Sequence, residues 1–161
     1  MPIGEKLLIR PVWIDDYDAD GRAVLDIEPG LAFGSGSHPT TRLCLETLER
    51  YVKNSDEVLD IGCGSGILSI ATLLLGAKHA LGVDIDSLAV KTAKENAKQN
   101  GFAEDRFTAV QGNLSDKVSG KFDIVVANIV ADIIMEFNTE VGKFLKDDGV
   151  YITGGIIENR E

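Results

Sequence analysis

The chain has 161 residues, 44% of them hydrophobic and 26% charged, a balance close to that of an ordinary globular domain. This excludes a disordered, collagen-like or mucin-like chain and fits one domain with a sizeable core. Twenty-six Asp and Glu against sixteen Lys and Arg leave a net charge of -10, which argues against nucleic acid or an anionic membrane as partner and in favour of a basic one. Two cysteines, Cys44 and Cys63, and two histidines offer neither a disulfide framework nor zinc-ligand spacing, so no metal site and a reducing, cytoplasmic compartment are expected. The opening MPIGEKLLIR lacks the apolar core and cleavage site of a secretory signal. The longest apolar stretch, Gly66 to Ala77, contains Ser69 and Thr72 and is too short for a membrane span.

The first thirty residues read as a β-hairpin, with the strand-like runs KLLIRPVWI and RAVLDIEP flanking the acidic turn DDYDADG. Asp16, Asp18, Asp20 and Gly21 match the opening of a calcium loop, but Ile27 stands where its bidentate Glu is required, so an acidic turn is the better reading. After LAFGSGSHPTT a helix is expected, with Pro39 at its start and Leu43, Leu48, Tyr51 and Val52 as its apolar stripe. Strand and helix signals then alternate: EVLDIG, ILSIATLLL, ALGVD, SLAVKTAKENAKQN, FTAVQ, FDIVVANI, ADIIMEFNTEVGKFL and GVYITG. The last helix is expected to place Ile133, Phe137, Val141 and Phe144 on one face. This alternation predicts an α/β fold with a doubly wound, mostly parallel sheet covered on both faces.

The most specific local signal is VLDIGCGSG, where a strand carrying Asp60 runs into Gly62, Gly64 and Gly66 and then a helix. Glycines there let the chain turn tightly and let a ligand approach the backbone, while the first N–H groups of the helix face that ligand. A dinucleotide fingerprint would have its third glycine at residue 67, where this chain has Ile67. Asp84 ends the next strand, 22 residues after Gly62, where such a sheet offers a carboxylate to a ribose hydroxyl pair. Asp86, just before the following helix, suits an N-cap. Asn113 follows the third strand; its amide can read an adenine edge with Leu114 packed on the ring, or it can simply belong to a turn.

The combination D-x-G-x-G-x-G, acidic strand end and polar residue after the third strand resembles the class I S-adenosylmethionine-dependent methyltransferases. Two further segments, PGLAFGSGSHPTT at residues 29 to 41 and VANIVA at residues 126 to 131, are similar to those of the ribosomal protein L-eleven methyltransferases, the PrmA family. That family usually has Thr at the positions of Ser35 and Ser37, so the hydroxyls are kept. The resemblance covers nearly the whole chain. It implies an S-adenosylmethionine-dependent N-methyltransferase domain over residues 31–161, with residues 1–30 as hairpin and linker. It also implies the cofactor S-adenosyl-L-methionine and a basic ribosomal protein as substrate, methylated on lysine or N-terminal amines, and it leaves the oligomeric state open. Family members carry a recognition domain ahead of this region and two closing strands after it; neither has a counterpart in these residues, and residue 161 reads as an end other than the natural one.

By the same resemblance Thr40 and Thr41 touch the methionine end of the cofactor, and Asp60, Gly62, Gly64 and Gly66 of the glycine motif are expected to bind it as well. Asn128, at the carboxyl end of the fourth strand, is the residue expected to position the acceptor amine and to contact the cofactor. Asn128-Ile129-Val130-Ala131 lacks the prolines and aromatic of the Asn-Pro-Pro-aromatic run seen in methyltransferases of bases and glutamine amides, which disfavours flat amide acceptors. His38 reads as a helix cap rather than a base, Phe33 equally as pocket cover or core, and Cys63 as a small side chain among glycines rather than a nucleophile. The alternatives are an NAD-dependent oxidoreductase, disfavoured by Ile67, and a non-catalytic cofactor-binding fragment.

Overall fold

The computed structural model describes residues 2–11, 21–27, 38–129 and 131–154. Its centre is a five-stranded sheet of β4 (Glu57–Ile61), β5 (His79–Asp84), β6 (Phe107–Gln111), β7 (Phe122–Asn128) and β8 (Leu145–Gly154), in the order β6-β5-β4-β7-β8. Every pair is parallel. A parallel sheet buries both faces, and accordingly Val58, Leu59, Asp60 and Ile61 of the central strand are all buried. The chain leaves β4 toward β5 on one side and later returns to β7 on the other. That reversal opens a crevice at the carboxyl ends of β4 and β7, where α/β sheets bind their ligands.

Helices α1 (His38–Tyr51), α2 (Ile67–Leu74) and α3 (Ser87–Gln99) contribute to one buried cluster, which also holds Val58, Ile124 and Val126. Leu59, Ile61, Val125 and Ala127, the alternate positions, pack with Phe137 of α4 (Ala131–Asn138) and with Val141 and Phe144. The sheet therefore has a core on each side. No helix among the described residues is long and apolar enough to cross a membrane.

A second sheet of β1 (Pro2–Ile3), β2 (Leu7–Pro11) and β3 (Ala23–Ile27) sends Ile3, Leu7, Ile9 and Leu25 into the first core cluster. Its pairing corrects the expected hairpin. β2 and β3 run parallel, Leu7 opposite Ala23 through Pro11 opposite Ile27, while the antiparallel partner of β2 is β1, reached through Gly4 at φ +52°. Strand-like runs on either side of a turn-like segment do not encode pairing direction; with β1 on one edge of β2, β3 pairs along the other. The connecting residues 12–20, with the acidic turn, lie outside the described residues.

Two helix faces also differ from the periodic reading. On α1 the buried residues are Thr41, Cys44, Leu45 and Leu48, while Leu43 and Tyr51 are exposed. The last predicted helix stops at Asn138, where the amides of Thr139 and Glu140 bond three residues back to Glu136 and Phe137 and the Thr139 hydroxyl takes the Glu136 carbonyl. This tightening re-aims the chain, so Val141–Phe144 forms a separate 3₁₀ turn and still buries Val141 and Phe144. Ile134, rather than Ile133, joins Phe137 as a buried residue of α4.

Candidate functional site

The glycine turn connects β4 to α2, and its three glycines are needed for different reasons. All have positive φ, +71° at Gly62, +53° at Gly64 and +85° at Gly66, a region costly for residues with a Cβ. A Cβ on Gly62 would collide with the Ile129 side chain, and one on Gly66 would lie 3.1 Å from the Ala93 Cβ of α3. A Cβ on Gly64 would meet nothing within 4 Å; this is the glycine open to a ligand. The Gly62 and Cys63 amides both donate to the Val83 carbonyl, at 2.7 and 2.9 Å, stitching the turn to the end of β5.

Asp84 completes that stitch. Its Oδ2 accepts the Gly64 amide and its Oδ1 the Asp86 amide, both at 2.9 Å. Asp86 is the N-cap of α3, accepting the Leu88 amide at 2.9 Å, the capping role the sequence predicts for it. Each Asp84 oxygen keeps lone-pair capacity beyond its single amide. The carboxylate lies in the wall of a pocket of about 220 Å³ lined by Ile61, Gly62, Val83, Asp84, Ile85, Gly112, Asn113, Leu114, Ile129 and Ile133. Apolar walls with one carboxylate and one amide suit a ring-and-ribose ligand.

Asn113 and Leu114 both line this pocket, on a turn shaped by Asp116, whose Oδ1 accepts the Asn113 amide at 3.0 Å. Leu114 has φ +53°, an uncommon conformation for a branched residue and one concentrated at ligand sites. Ile85, Ile129 and Ile133 escaped sequence reasoning. Ile85 is 67% exposed; its signal was an apolar residue directly after the acidic strand end, where no core face called for one.

Asp60, expected to bind the cofactor directly, is not in the pocket wall, because its strand position turns the side chain into the core. It is buried behind the turn, where its Oδ2 accepts the Ser69 hydroxyl at 2.7 Å and its Oδ1 has no hydrogen-bond partner. Burial pushes its carboxyl up to about 7, against the lowering effect of the Ser69 bonds and with a smaller push from Asp84. Burial likewise raises both thiols, that of Cys44 to about 12, and a protonated, buried Cys63 is no nucleophile.

Asn128 ends β7 beside the turn, and its Nδ2 donates to the Thr41 hydroxyl of α1 at 3.1 Å. The structure thus brings together two candidates separated by 87 residues, leaving the Asn128 carbonyl oxygen to another donor. Thr40 and His38 contribute backbone to α1, their side chains lying outside the described residues, as do Phe33, Ser35, Ser37 and Val130.

This arrangement has relatives. The family model for "Ribosomal protein L11 methyltransferase (PrmA)" matches residues 1–161. The chain belongs to the PrmA family. It is 50% identical over 159 residues to a ribosomal protein L11 methyltransferase of Clostridium perfringens, covering 98% of this chain and 50% of the relative. It is 48% identical over 158 residues to that of Desulforamulus reducens, covering 98% of this chain and 51% of the relative. The chain spans about half the length of the curated relatives it matches. The crystal structure of a ribosomal protein L11 methylase from Lactobacillus delbrueckii subsp. bulgaricus superposes with a TM-score of 0.87 at 35% identity, over 96% of this chain and 78% of that one. The PrmA fold therefore extends over both sheets described above.

Proposed function

We propose that this chain is the catalytic part of an S-adenosylmethionine-dependent N-methyltransferase acting on lysine or N-terminal amines of ribosomal protein L11, with residues 31–161 as the methyl-transfer unit. The observation that carries the reading is the Asp84 carboxylate in the wall of the switch-point pocket, tied to the Gly64 amide of a turn that leaves space above Gly64. These residues fit the cofactor: Asp84 has acceptor capacity for ribose hydroxyls, Asn113 an amide for a base edge, and Ile85 and Leu114 apolar surface for its ring. Thr40, Thr41 and the backbone at Gly62, Gly64 and Gly66 are assigned to the methionine end, with Asp60 supporting the turn from behind.

Bound S-adenosylmethionine supplies a sulfonium methyl group that is already electrophilic, so the protein's work is alignment and exclusion of water. The Thr41 hydroxyl holds the Asn128 NH₂, and the Asn128 carbonyl oxygen is left to accept an N–H of the incoming amine. That amine must arrive neutral, from a reference pKa of about 10.4 for lysine or about 8 for an α-amine. A protein of net charge -10 attracts a basic substrate and speeds encounter. The reading places the enzyme in the cytoplasm, where ribosomal proteins are made.

Calorimetric titration with S-adenosylhomocysteine and, separately, with NAD tests the cofactor, and mass spectrometry of ribosomal protein L11 after incubation with S-adenosylmethionine tests the transfer. Binding of NAD in preference, or binding of neither, would remove the methyltransferase reading. Cofactor binding with no mass gain in units of one methyl, both with this chain and with one extended to the length of its relatives, would leave a binding module and sink the catalytic one.

A further inference from the structure

We infer that Asn96, on α3, is a positioning residue for the glycine turn: its side-chain amide holds the Ser65 carbonyl and so fixes the Ser65–Gly66 peptide plane. The inference deepens the reading of this turn as a cofactor cradle and rests on it. Asn96 Nδ2 donates to the Ser65 carbonyl at 2.9 Å from a helix 31 residues further along the chain. The residue is 7% exposed, and a buried amide is costly unless bonded. One turn earlier, Ala93 abuts Gly66 so closely that a Cβ there would be crowded, so α3 seats directly on the turn.

The turn needs such a clamp. Gly64 and Gly66 flank Ser65, and the freedom that lets glycine adopt positive φ also lets the peptides between glycines rotate. The β5 side fixes the amides of Gly62, Cys63 and Gly64 through Val83 and Asp84, but none of these bonds reaches the Ser65 carbonyl. Because the peptide is planar, pinning that carbonyl also aims the Gly66 N–H, which bonds to the Cys63 carbonyl at 2.8 Å. Asn96 therefore closes the conformation of the cradle from the α3 side, without touching the pocket itself.

One turn later, Asn100 makes an equivalent clamp elsewhere. Its Oδ1 accepts the Asp26 amide at 2.7 Å and its Nδ2 donates to the Asp26 carbonyl and to the Asn96 backbone carbonyl, both at 2.8 Å, fastening β3 to the end of α3 rather than the cradle. Asn100, half-buried at the C-cap of α3, is the internal control for loss of a clamping side-chain amide.

The test compares the parent chain, Asn96→Leu and Asn100→Leu by calorimetric affinity for S-adenosylhomocysteine, thermal midpoint, and amide hydrogen exchange without ligand. Asn96→Leu should weaken binding about tenfold, the size of one lost buried hydrogen bond, and speed exchange at Gly66. Asn100→Leu should lower the midpoint yet leave affinity within about twofold. Parental affinity in folded Asn96→Leu, or an equal affinity loss in Asn100→Leu, would overturn the inference. Asn96→Ser is read the same way should the leucine variant not fold, and failure of both would make Asn96 a determinant of the fold, overturning the positioning role. If the parent does not bind S-adenosylhomocysteine, the cofactor reading falls, while the exchange comparison still decides whether Asn96 holds the turn.

Discussion

Asp84 Oδ2 lies 2.9 Å from the Gly64 amide nitrogen, so the acidic strand end and the middle glycine of the turn form one unit rather than two motifs. On the ribose assignment proposed above, removing the carboxylate takes away a ribose acceptor and releases the turn together. Asp84→Ala should weaken S-adenosylhomocysteine binding by about a hundredfold, since bonds to charged groups contribute about 1.5–3 kcal/mol each. Asp84→Asn retains one acceptor oxygen for Gly64 and should lose about tenfold. Calorimetry on both variants, with circular dichroism to establish folding, decides it; equal losses would show that the tie to Gly64 contributes nothing.

Gly64 separates ligand approach from packing. Gly62→Ala and Gly66→Ala meet Ile129 and Ala93, so these should lower the thermal midpoint. A Cβ at Gly64 meets open space, so Gly64→Val costs chiefly the left-handed backbone, about 2 kcal/mol or more for a β-branched residue. It should remain folded but lose measurable cofactor affinity. A folded Gly64→Val that binds like the parent would take the cradle out of the mechanism.

The alternation of strands and helices after residue 57 was legible because the parallel strands hold apolar runs that stop at Gly62, Asp84, Gly112, Asn128 and Gly154, and the pocket-lining Asp84, Asn113 and Leu114 sit at or just past such ends. Direction was not legible: β2 and β3 read as strands, yet nothing in either run distinguishes parallel from antiparallel partners. Nor was the α1 face, where Leu43 and Leu48 have the same hydropathy but opposite exposure. The Thr41–Asn128 bond and the Asn96 clamp depend on tertiary packing between distant elements, which no local spacing encodes. Asp60 illustrates the converse, a motif residue whose strand position was clear and whose burial away from the pocket was not.

That burial sets a pH dependence. The Asp60 carboxyl, raised to about 7 in the folded chain, holds its proton after the unfolded chain, titrating near 3.9, has released it. The unfolded state then binds fewer protons, so this group's contribution to stability falls as pH rises from about 4 to about 7. Asp60→Asn has nothing to titrate. Its unfolding free energy relative to the parent should therefore improve across that window, by on the order of 4 kcal/mol at most. Urea unfolding of both chains at pH 4, 5.5 and 7 measures the difference; a constant difference would mean that Asp60 ionises normally in the fold.

Thr41 and Asn128 should act as a coupled pair. The Thr41 hydroxyl accepts the Asn128 NH₂ at 3.1 Å, which directs the amide so that its carbonyl oxygen points away from α1 for another donor. Thr41→Val keeps the shape and removes the acceptor, leaving the amide free to turn, so part of what Asn128 contributes is lost without touching it. Asn128→Ala removes the group that Thr41 orients. The double variant should then bind S-adenosylhomocysteine more tightly than the product of the two single losses predicts, with a coupling of about 1 kcal/mol, within the range of residues in direct contact. A double-mutant cycle by calorimetry gives this number directly. Losses that simply multiply would show that the two side chains serve the cofactor independently, and Thr41 would then owe its place to its own contact with the methionine end rather than to its hold on Asn128.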